Sequence, residues 1–311
     1  LNRRLQELNH ELNVLLHKQS YMNIAYQKWL DTHHPFHWFS EFYEIIHDKG
    51  GFDVIIGNPP YVEYSKVRST YTIVDYYTEK AANLYAFVIE KSIQVICRFG
   101  YTGMIIPLTS ISNNNMKLLR DLLFKDSESF LSSYEIRPSK LFDGVDQRLT
   151  IFLRNAIRIG TYSTGIRRWY ADQRYFLFET TAYATSYYDD RLLRLSVNLE
   201  SSIWTKFRQH TPISAFLSSS TNKNSISYRT AGARYWIIFL NKRFKTKSLS
   251  NKTAFFQNNY DSKIICAVLN SNLFWWWYSI NFDMFNIKDY MIFSFKFNYF
   301  NSGILAQLSN S

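Results

Sequence analysis

Residues 52–61 read Phe-Asp-Val-Ile-Ile-Gly-Asn-Pro-Pro-Tyr, a short apolar run that leads directly into a turn-forming tetrapeptide. The β-branched residues of this run predict a strand over 52–57. Asparagine and proline both favour turns, and proline cannot donate to a strand ladder, so the strand is expected to end there. Residues 58–61 are then either an ordinary turn or a rigid loop that carries chemistry.

Two neighbouring oxygen atoms of this loop suit a particular substrate. The side-chain oxygen of Asn58 and the backbone carbonyl of Pro59 are both hydrogen-bond acceptors. Acceptors aimed at the two N–H bonds of a planar amine favour the tetrahedral geometry that the nitrogen needs to attack a methyl group. Pro59 and Pro60 stiffen the loop before substrate arrives, and Tyr61 offers a flat face for a base that has left its duplex.

The tetrapeptide Asn58-Pro59-Pro60-Tyr61 resembles the catalytic loop of methyltransferases that act on a planar amino nitrogen, most often the exocyclic amine of adenine in DNA. The stretch from about 33 to 155 is similar to the second half of the catalytic domain in large bacterial adenine-specific DNA methyltransferases of restriction–modification and phage-defence systems. The segments that carry this resemblance are 34–42, 50–55, 83–90, 100–107, 135–142 and 149–153.

The resemblance implies S-adenosylmethionine as cofactor and assigns further site residues. Asn83, Leu84 and Tyr85 begin a segment similar to the helix that helps hold the cofactor's adenosine, although many relatives have aspartate where this chain has Asn83. Phe152 is a possible equivalent of the aromatic residue that holds the flipped base. Its alternative interpretation is a phenylalanine in the core of a strand, which is the commoner role.

Alternation of strands and helices predicts an α/β fold with a parallel layer. Strands are predicted over 52–57, 101–107, 132–137 and 149–154, and helices over 83–98 and 114–125. A leucine stripe from Leu1 to Leu15 predicts an amphipathic helix, and an aromatic helix is predicted over 36–47. The expected domains are a helical lead-in (1–50), part of a doubly wound, Rossmann-like methyltransferase sheet (51–157) and a mixed α+β target-recognition domain (158–311).

One expected feature of the family is missing from the sequence. The family binds its cofactor at a glycine-rich turn before the catalytic loop, but none of the ten glycines falls in a Gly-x-Gly pattern. We therefore expect the chain to be the C-terminal part of a longer protein. Its partner would be a cofactor-binding half supplied in cis or in trans, without which the isolated chain is expected to be inactive.

Positive charge is concentrated in one segment. Residues 1–157 hold 17 Lys and Arg against 17 Asp and Glu, whereas residues 158–260 hold 16 against 5. The excess equals the net charge of +11, because residues 261–311 hold 3 of each. Such a segment predicts phosphate contacts with double-stranded DNA, and a solvated basic surface is the alternative. The candidate DNA-binding residues, interleaved with aromatic residues, are Arg167, Arg168, Arg174, Arg229, Arg234, Lys242, Arg243, Lys245 and Lys247.

The C-terminal segment is predicted to contain a strand pair over 226–240 and an apolar helix over 262–280. That helix is interrupted by Asn270, Ser271 and Asn272, which argues against a membrane span. Cys97 and Cys266 are far apart in apolar contexts, which favours a reducing cytoplasm. The histidines near residue 33 have no cysteine and no convincing acidic partner nearby, so no metal site is expected.

Three functions remain open at this point. The first is methylation of adenine in DNA by base flipping. The second keeps the reaction but uses RNA or a protein glutamine as substrate, and the concentrated positive charge disfavours the protein. The third is a catalytically incomplete chain that serves as a DNA-binding module.

Overall fold

The computed structural model describes residues 2–188, 191–231 and 237–299, and its fold is the expected α/β class. A six-stranded sheet is built from β1 (Phe52–Gly57), β2 (Ile96–Pro107), β3 (Glu128–Tyr134), β4 (Leu149–Asn155), β5 (Gly160–Arg167) and β6 (Ala184–Thr185). Its strand order is β1-β2-β4-β3-β5-β6. β1 is parallel to β2, as expected for the parallel layer predicted over 52–154, whereas β5 and β6, which follow that segment, are antiparallel, so the whole sheet is mixed. The segment between β5 and β6 contains a short 3-10 helix (Ala171–Phe176) but no α-helix, and antiparallel neighbours need no crossover helix.

The entry into β1 requires a glycine. Gly51 has a φ of +126°, and a Cβ at this position would lie 2.6 Å from the backbone of Val95, Ile96 and Cys97. Only glycine combines that conformation with so close an approach. β1 then runs beside β2, with Phe52 opposite Ile96 and Gly57 opposite Met104. Residues 58–61 therefore begin where the pairing of β1 with β2 ends, beside Met104.

The helices of the first half differ from the prediction in their bounds. They are α1 (Asn2–Ser20), α2 (Tyr26–His33), α3 (Trp38–Glu41), α4 (Leu84–Val95), α5 (Thr109–Ser112) and α6 (Lys117–Phe124). The aromatic helix predicted over 36–47 is wrong as one element, since α3 is short and a π-helical turn (Glu44–Asp48) follows it. Its aromatic residues pack on β1 instead, with the Phe42 and Phe52 ring centroids 5.1 Å apart.

The third strand also differs from the prediction. β3 spans Glu128–Tyr134, whereas the sequence favoured 132–137. The strand stops before Glu135, whose carboxylate pairs with Arg148 at 2.7 Å. The hydroxyls of the serines in β3 find hydrogen-bond partners inside the protein.

The second half contains short strands and four helices among the described residues. Its strands are β7 (Tyr187–Tyr188), β8 (Arg191–Leu192), β9 (Thr211–Pro212), β10 (Ser225–Arg229), β11 (Phe239–Leu240), β12 (Asn251–Phe255) and β13 (Lys296–Phe297). Its helices are α7 (Asn198–Phe207), α8 (Ser262–Leu269), α9 (Asn272–Asn281) and α10 (Asp289–Phe293). The predicted strand pair over 226–240 is present, because β10 pairs with β11 in antiparallel register.

The apolar helix predicted over 262–280 is two helices. Asn270 is the C-terminal cap of α8, and its Nδ2 donates a hydrogen bond to the Phe239 carbonyl at 2.9 Å. Ser271 then caps α9 by accepting from the Phe274 amide. Local polar bonds therefore stop α8 and restart the chain as α9. No helix of the described ranges is long and apolar enough to cross a membrane.

The chain divides into two compact units. The first unit consists of Leu1–Ile106, Asn115–Ser129 and Ile151–Ile159. The second unit consists of Pro107–Asn114, Phe130–Thr150 and Gly160–Ser311. Ile89, Leu119 and Leu123 are fully buried in the first unit. An aromatic core fills the second unit, and Trp277, at 1% exposed, is part of it.

Candidate active site

Residues 58–61 leave β1 as a loop that is anchored at two points. Pro59 is buried, and the Tyr61 hydroxyl donates a hydrogen bond to the Ile105 carbonyl of β2 at 2.9 Å. Burial raises the pKa of Tyr61 to about 12, so the phenol keeps its proton for this bond at neutral pH. The Asn58 side chain is exposed, and no hydrogen bond from it to another described residue is observed. The loop is therefore held in place while the Asn58 amide remains open to a ligand.

Asn58, Pro59 and Pro60 line a cavity of about 860 Å³ within the first unit. Most of its lining is apolar or aromatic, and its polar side chains are those of Asn58, Tyr76, Lys91 and Ser92. No carboxylate is among the described residues that line it. The remaining lining residues are Phe36, Trp38, Phe42, Phe52, Val54, Ile55, Ile56, Gly57, Ile73, Leu84, Phe87, Val88, Val95 and Met104. A planar heterocycle fits such a site, because aromatic walls stack on rings and a few polar groups orient them.

The three residues proposed to hold the cofactor occupy different environments. Leu84 lines the cavity. Asn83 precedes α4, and its Nδ2 donates to the Ala81 carbonyl at 3.2 Å. Tyr85 is buried, with its ring edge-on to that of Tyr61 and its hydroxyl 3.5 Å from the Met116 sulfur. Contact of these residues with a cofactor stays a prediction.

Sequence reasoning missed Glu90, which organises one wall of the cavity. Its buried carboxylate accepts hydrogen bonds from the Tyr77 amide at 2.9 Å and from the Thr78 amide and hydroxyl at 2.8 and 2.7 Å. This holds the segment that places Tyr76 at the cavity, and burial together with the Glu90 charge raises the pKa of Tyr76. A lone glutamate in the apolar helix sequence 84–90 was the available signal, because buried carboxylates need several donors.

Phe152 lies in β4 and is fully buried, as expected for a residue in the core of a strand. Its alternative role, contact with a flipped base, stays a prediction. The aromatic rings that line the cavity beside Asn58 come from other parts of the first unit, namely the segment before β1, β1 itself and the segment from residue 73 through α4.

The candidate DNA-binding residues fall into two groups. Arg167 is committed inside the protein, since it donates to the Leu177 carbonyl at 2.6 Å, to the Thr180 hydroxyl at 2.9 Å and to the Thr181 hydroxyl. Arg174 donates to the Leu141 carbonyl at 3.1 Å, and its guanidinium lies over the buried Trp169 ring. Arg174 is nevertheless exposed, and the other exposed members are Arg168, Arg229, Lys242, Arg243, Lys245 and Lys247. Arg234 lies outside the described residues, as do the neighbouring Tyr235 and Trp236.

Comparison with protein families covers the segment that contains this site. Residues 2–142 match the family model of the Eco57I restriction-modification methylases. The match supports a restriction–modification methyltransferase as the class of this segment and includes residues 58–61, although it spans less than half of the chain. A search of curated proteins found no match.

Several solved structures are similar to parts of the chain. A nuclease-deletion mutant of the Type ISP restriction-modification enzyme LlaGI, solved with a DNA substrate mimic, is 12% identical with a TM-score of 0.40, over 62% of this chain and 22% of that one. A modification subunit of a putative type I restriction enzyme from Vibrio vulnificus YJ016 is 12% identical with a TM-score of 0.30, over 48% of this chain and 38% of that one. The chain thus spans well under half of these proteins, and such low scores do not define its function.

Proposed function

We propose that this chain supplies the catalytic loop and the DNA-recognition part of an S-adenosylmethionine-dependent methyltransferase. Its substrate would be the exocyclic amine of adenine in duplex DNA, within a restriction–modification or defence system. The observation that carries the proposal is the open Asn58 amide, which follows a parallel strand and borders a cavity of about 860 Å³ with aromatic walls. The family match to residues 2–142 supports the same class.

The chemistry proposed for the loop is the positioning of an amine. The adenine amine is a poor nucleophile because its lone pair is delocalised into the ring. The Asn58 side-chain oxygen and the Pro59 carbonyl would each accept one N–H bond of an extruded base, which favours a tetrahedral nitrogen with its lone pair free. The loop needs no general base if the methylated nitrogen loses its proton afterwards. Anchoring by Pro59 and by the Tyr61 hydroxyl would preserve this arrangement before substrate binds.

The cavity fits part of a cofactor. Bound S-adenosylmethionine would supply an electrophilic methyl group. Phe52 and Phe87 offer faces for its adenine, and Lys91 would attract its carboxylate. The described lining contains no carboxylate to bind ribose hydroxyls, so these residues would form an incomplete cofactor site. We therefore include in the proposal a cofactor-binding part that is supplied in cis or in trans.

The exposed basic residues of segment 158–260 would bind the DNA backbone. Arg168, Arg229 and Arg243 are exposed cations that could form phosphate contacts, whereas Arg167 already has three partners in the protein. Phosphate contacts of this kind position a protein on DNA and weaken with salt. A salt-sensitive interaction with duplex DNA is the expected signature.

The test is methyl transfer by the natural gene product to duplex DNA, with N6-methyladenine measured by mass spectrometry. Asn58→Ala should lower the rate at least about a hundredfold, the typical effect of removing a preorganised polar group from a reacting centre. Asn259→Ala changes an exposed asparagine of the second unit and should leave the rate unchanged. DNA in which purine replaces adenine should not be methylated, because it lacks the amine.

Three outcomes would contradict the proposal. An Asn58→Ala protein that is as active as the unaltered protein removes the role of the loop. Methylation of RNA or of a protein glutamine, but not of duplex DNA, changes the substrate. Salt-sensitive DNA binding without methyl transfer, even with the cofactor-binding part present, leaves a DNA-binding module.

A further inference from the structure

A second cavity, of about 260 Å³, lies within the second unit and is separate from the site beside Asn58. It is formed by the end of β5, by the segment before α7 and by α9. Arg168, Arg194 and Ser196 contribute side chains to its lining, together with the carboxylates of Glu135 and Glu200. Arg194 was not among the residues that the sequence singled out.

Arg194 is a buried cation, and two of its three guanidinium nitrogens have no hydrogen-bond partner among the described residues. Its side chain is 1% exposed, and its Nη2 donates to the Ser279 carbonyl at 2.7 Å and to the Phe282 carbonyl. Its Nε and Nη1 have no hydrogen-bond partner among the described residues. Burial lowers the pKa of Arg194 to about 10, so the guanidinium stays charged at neutral pH. An ionised donor left unsatisfied in the protein interior is costly.

The acceptors beside Arg194 are already occupied. Glu135 forms an ion pair with Arg148 at 2.7 Å and accepts from the Ile136 amide. Glu200 accepts from the Trp276 indole at 2.8 Å and from the Ser196 and Val197 amides. The nearby Asp283 attracts Arg194 electrostatically but does not bond Nε or Nη1. The carboxylates are therefore already hydrogen-bonded, whereas Nε and Nη1 of Arg194 remain without an acceptor.

Arg168 gives this cavity a second cation and a route to solvent. Its side chain is exposed and lines the same cavity as the buried Arg194. Glu135 is paired with Arg148, and Asp283 attracts Arg194, so the charges around the cavity balance and what remains unpaired is the Nε and Nη1 donors of Arg194. An oxyanion with several acceptor oxygens matches this arrangement, because guanidinium groups bind phosphate through paired N–H donors.

We propose that this cavity is a phosphate-binding site in which Arg194 Nε and Nη1 and the Arg168 guanidinium bind the oxygens of one phosphate group. The phosphate could be a free monoester or inorganic ion, or a phosphodiester of bound DNA. The site does not depend on methyl transfer. In this proposal Arg168, an exposed residue of the basic segment, shares the binding of one phosphate with the buried Arg194.

Inorganic phosphate is the probe for this site. Thermal unfolding of the full chain should show a saturable rise in midpoint with phosphate, relative to sodium chloride at equal ionic strength, because a ligand that binds only the folded state stabilises it. Arg168→Gln should weaken phosphate binding about tenfold or more, the effect of losing one charge-assisted hydrogen bond. Arg191→Gln removes another exposed arginine of the second unit that neither lines this cavity nor belongs to the candidate DNA-binding residues, and should leave the affinity unchanged.

Arg194→Lys tests the buried partner while keeping the charge. It should fold, as judged by circular dichroism, and bind phosphate at least about tenfold more weakly, since lysine cannot present the paired donors. If this variant does not fold, the comparison of Arg168→Gln with Arg191→Gln still decides between binding and no binding. Equal loss in those two variants, or no phosphate effect beyond that of chloride, overturns the proposal and leaves Arg194 solvated by buried water.

A competition arm identifies the source of the phosphate. If duplex DNA displaces inorganic phosphate and Arg168→Gln weakens both, the site binds the DNA backbone. If DNA binds without displacing phosphate, the site binds a free phosphate group. Phosphate binding by a protein that neither binds nor methylates DNA would support this site and contradict the proposed function, so the two can fail separately.

Discussion

Of the strands β1 and β3, the more apolar one is the more exposed to water, and the more polar one is the more buried. β1 is mostly apolar, yet Val54 is 60% and Ile56 77% exposed. β3 reads Glu-Ser-Phe-Leu-Ser-Ser-Tyr, yet its last four residues are all buried. The difference is position, because β1 lies at one end of the strand order and β3 lies inside it. Place in the sheet, rather than composition, decides how much of a strand meets water.

The two strands also differ in what their position requires of their side chains. An interior strand that contains serines must satisfy each buried hydroxyl, and β3 does so through neighbours such as the Thr150 hydroxyl and the Leu123 carbonyl. An exposed apolar edge strand must avoid unwanted pairing, and β1 carries one exposed charge, Asp53, but neither a lysine nor a proline. Pairing of this edge with a further part of a longer protein stays a prediction.

The largest expected difference between the strands is in the free energy of unfolding. Leu131→Ala in β3 removes a side chain with no exposed surface and should cost about 2–5 kcal/mol. Ile56→Ala in β1 removes a side chain that water already reaches and should change stability by no more than about 0.5 kcal/mol. Urea unfolding followed by circular dichroism measures both.

A large loss of stability in Ile56→Ala would break the comparison, because it would mean that the exposed face of β1 is covered in solution. Self-association provides the check, since a second copy bound to this edge would make the unfolding midpoint depend on protein concentration.

A smaller effect is expected from the polar interior of β3. The Ser133 and Thr150 hydroxyls are 3.0 Å apart and both residues are buried. Ser133→Ala should cost about 1–3 kcal/mol, because it leaves the Thr150 hydroxyl without this partner. Thr150→Val in the same protein should recover part of that loss, which a double-mutant cycle measures.

Ser219→Ala serves as the matched control, since Ser219 is exposed and should have a negligible effect. Additive losses in the Ser133 and Thr150 variants would contradict the pairing and would place the cost in packing alone.

The sequence was informative wherever local pattern and tertiary position agree. The strand over 52–57 and the turn that follows it were predictable, since apolar β-branched residues and prolines act locally. The bounds of β3 were not, because no local pattern reveals that Ser129 and Ser133 will meet partners from distant segments. Tertiary position overrode the strand signal there.

The candidate site divides in the same way. The position of Asn58 after a strand followed from the sequence, but the cavity beside it depends on rings that come from segments before and after β1. Arg167 and Arg168 are adjacent and looked equivalent. Only packing shows that the first is used inside the protein and the second is exposed.

The smallest effect on stability is expected from the hydrogen bond between the loop after β1 and β2. Tyr61→Phe removes the hydrogen bond to the Ile105 carbonyl but keeps the aromatic face. The expected cost is about 0.5–1.5 kcal/mol at pH 8, the net value of one hydrogen bond. Methyl transfer by the natural gene product should persist in this variant if the face of the ring, rather than its hydroxyl, contacts the base.

The pH dependence of that cost can be predicted from the raised pKa of Tyr61. An unfolded tyrosine ionises near its ordinary pKa of about 10, whereas the folded Tyr61 ionises at about 12. The unfolded state therefore loses its proton first, so the stabilisation is fully present below about pH 10 and is lost as the pH rises toward 12. The difference in stability between the unaltered protein and Tyr61→Phe should shrink from pH 8 to pH 11. A difference that stays constant with pH would mean that the Tyr61 phenol is as solvated in the folded state as in the unfolded chain. The loop after β1 would then be as exposed to water as β1 itself.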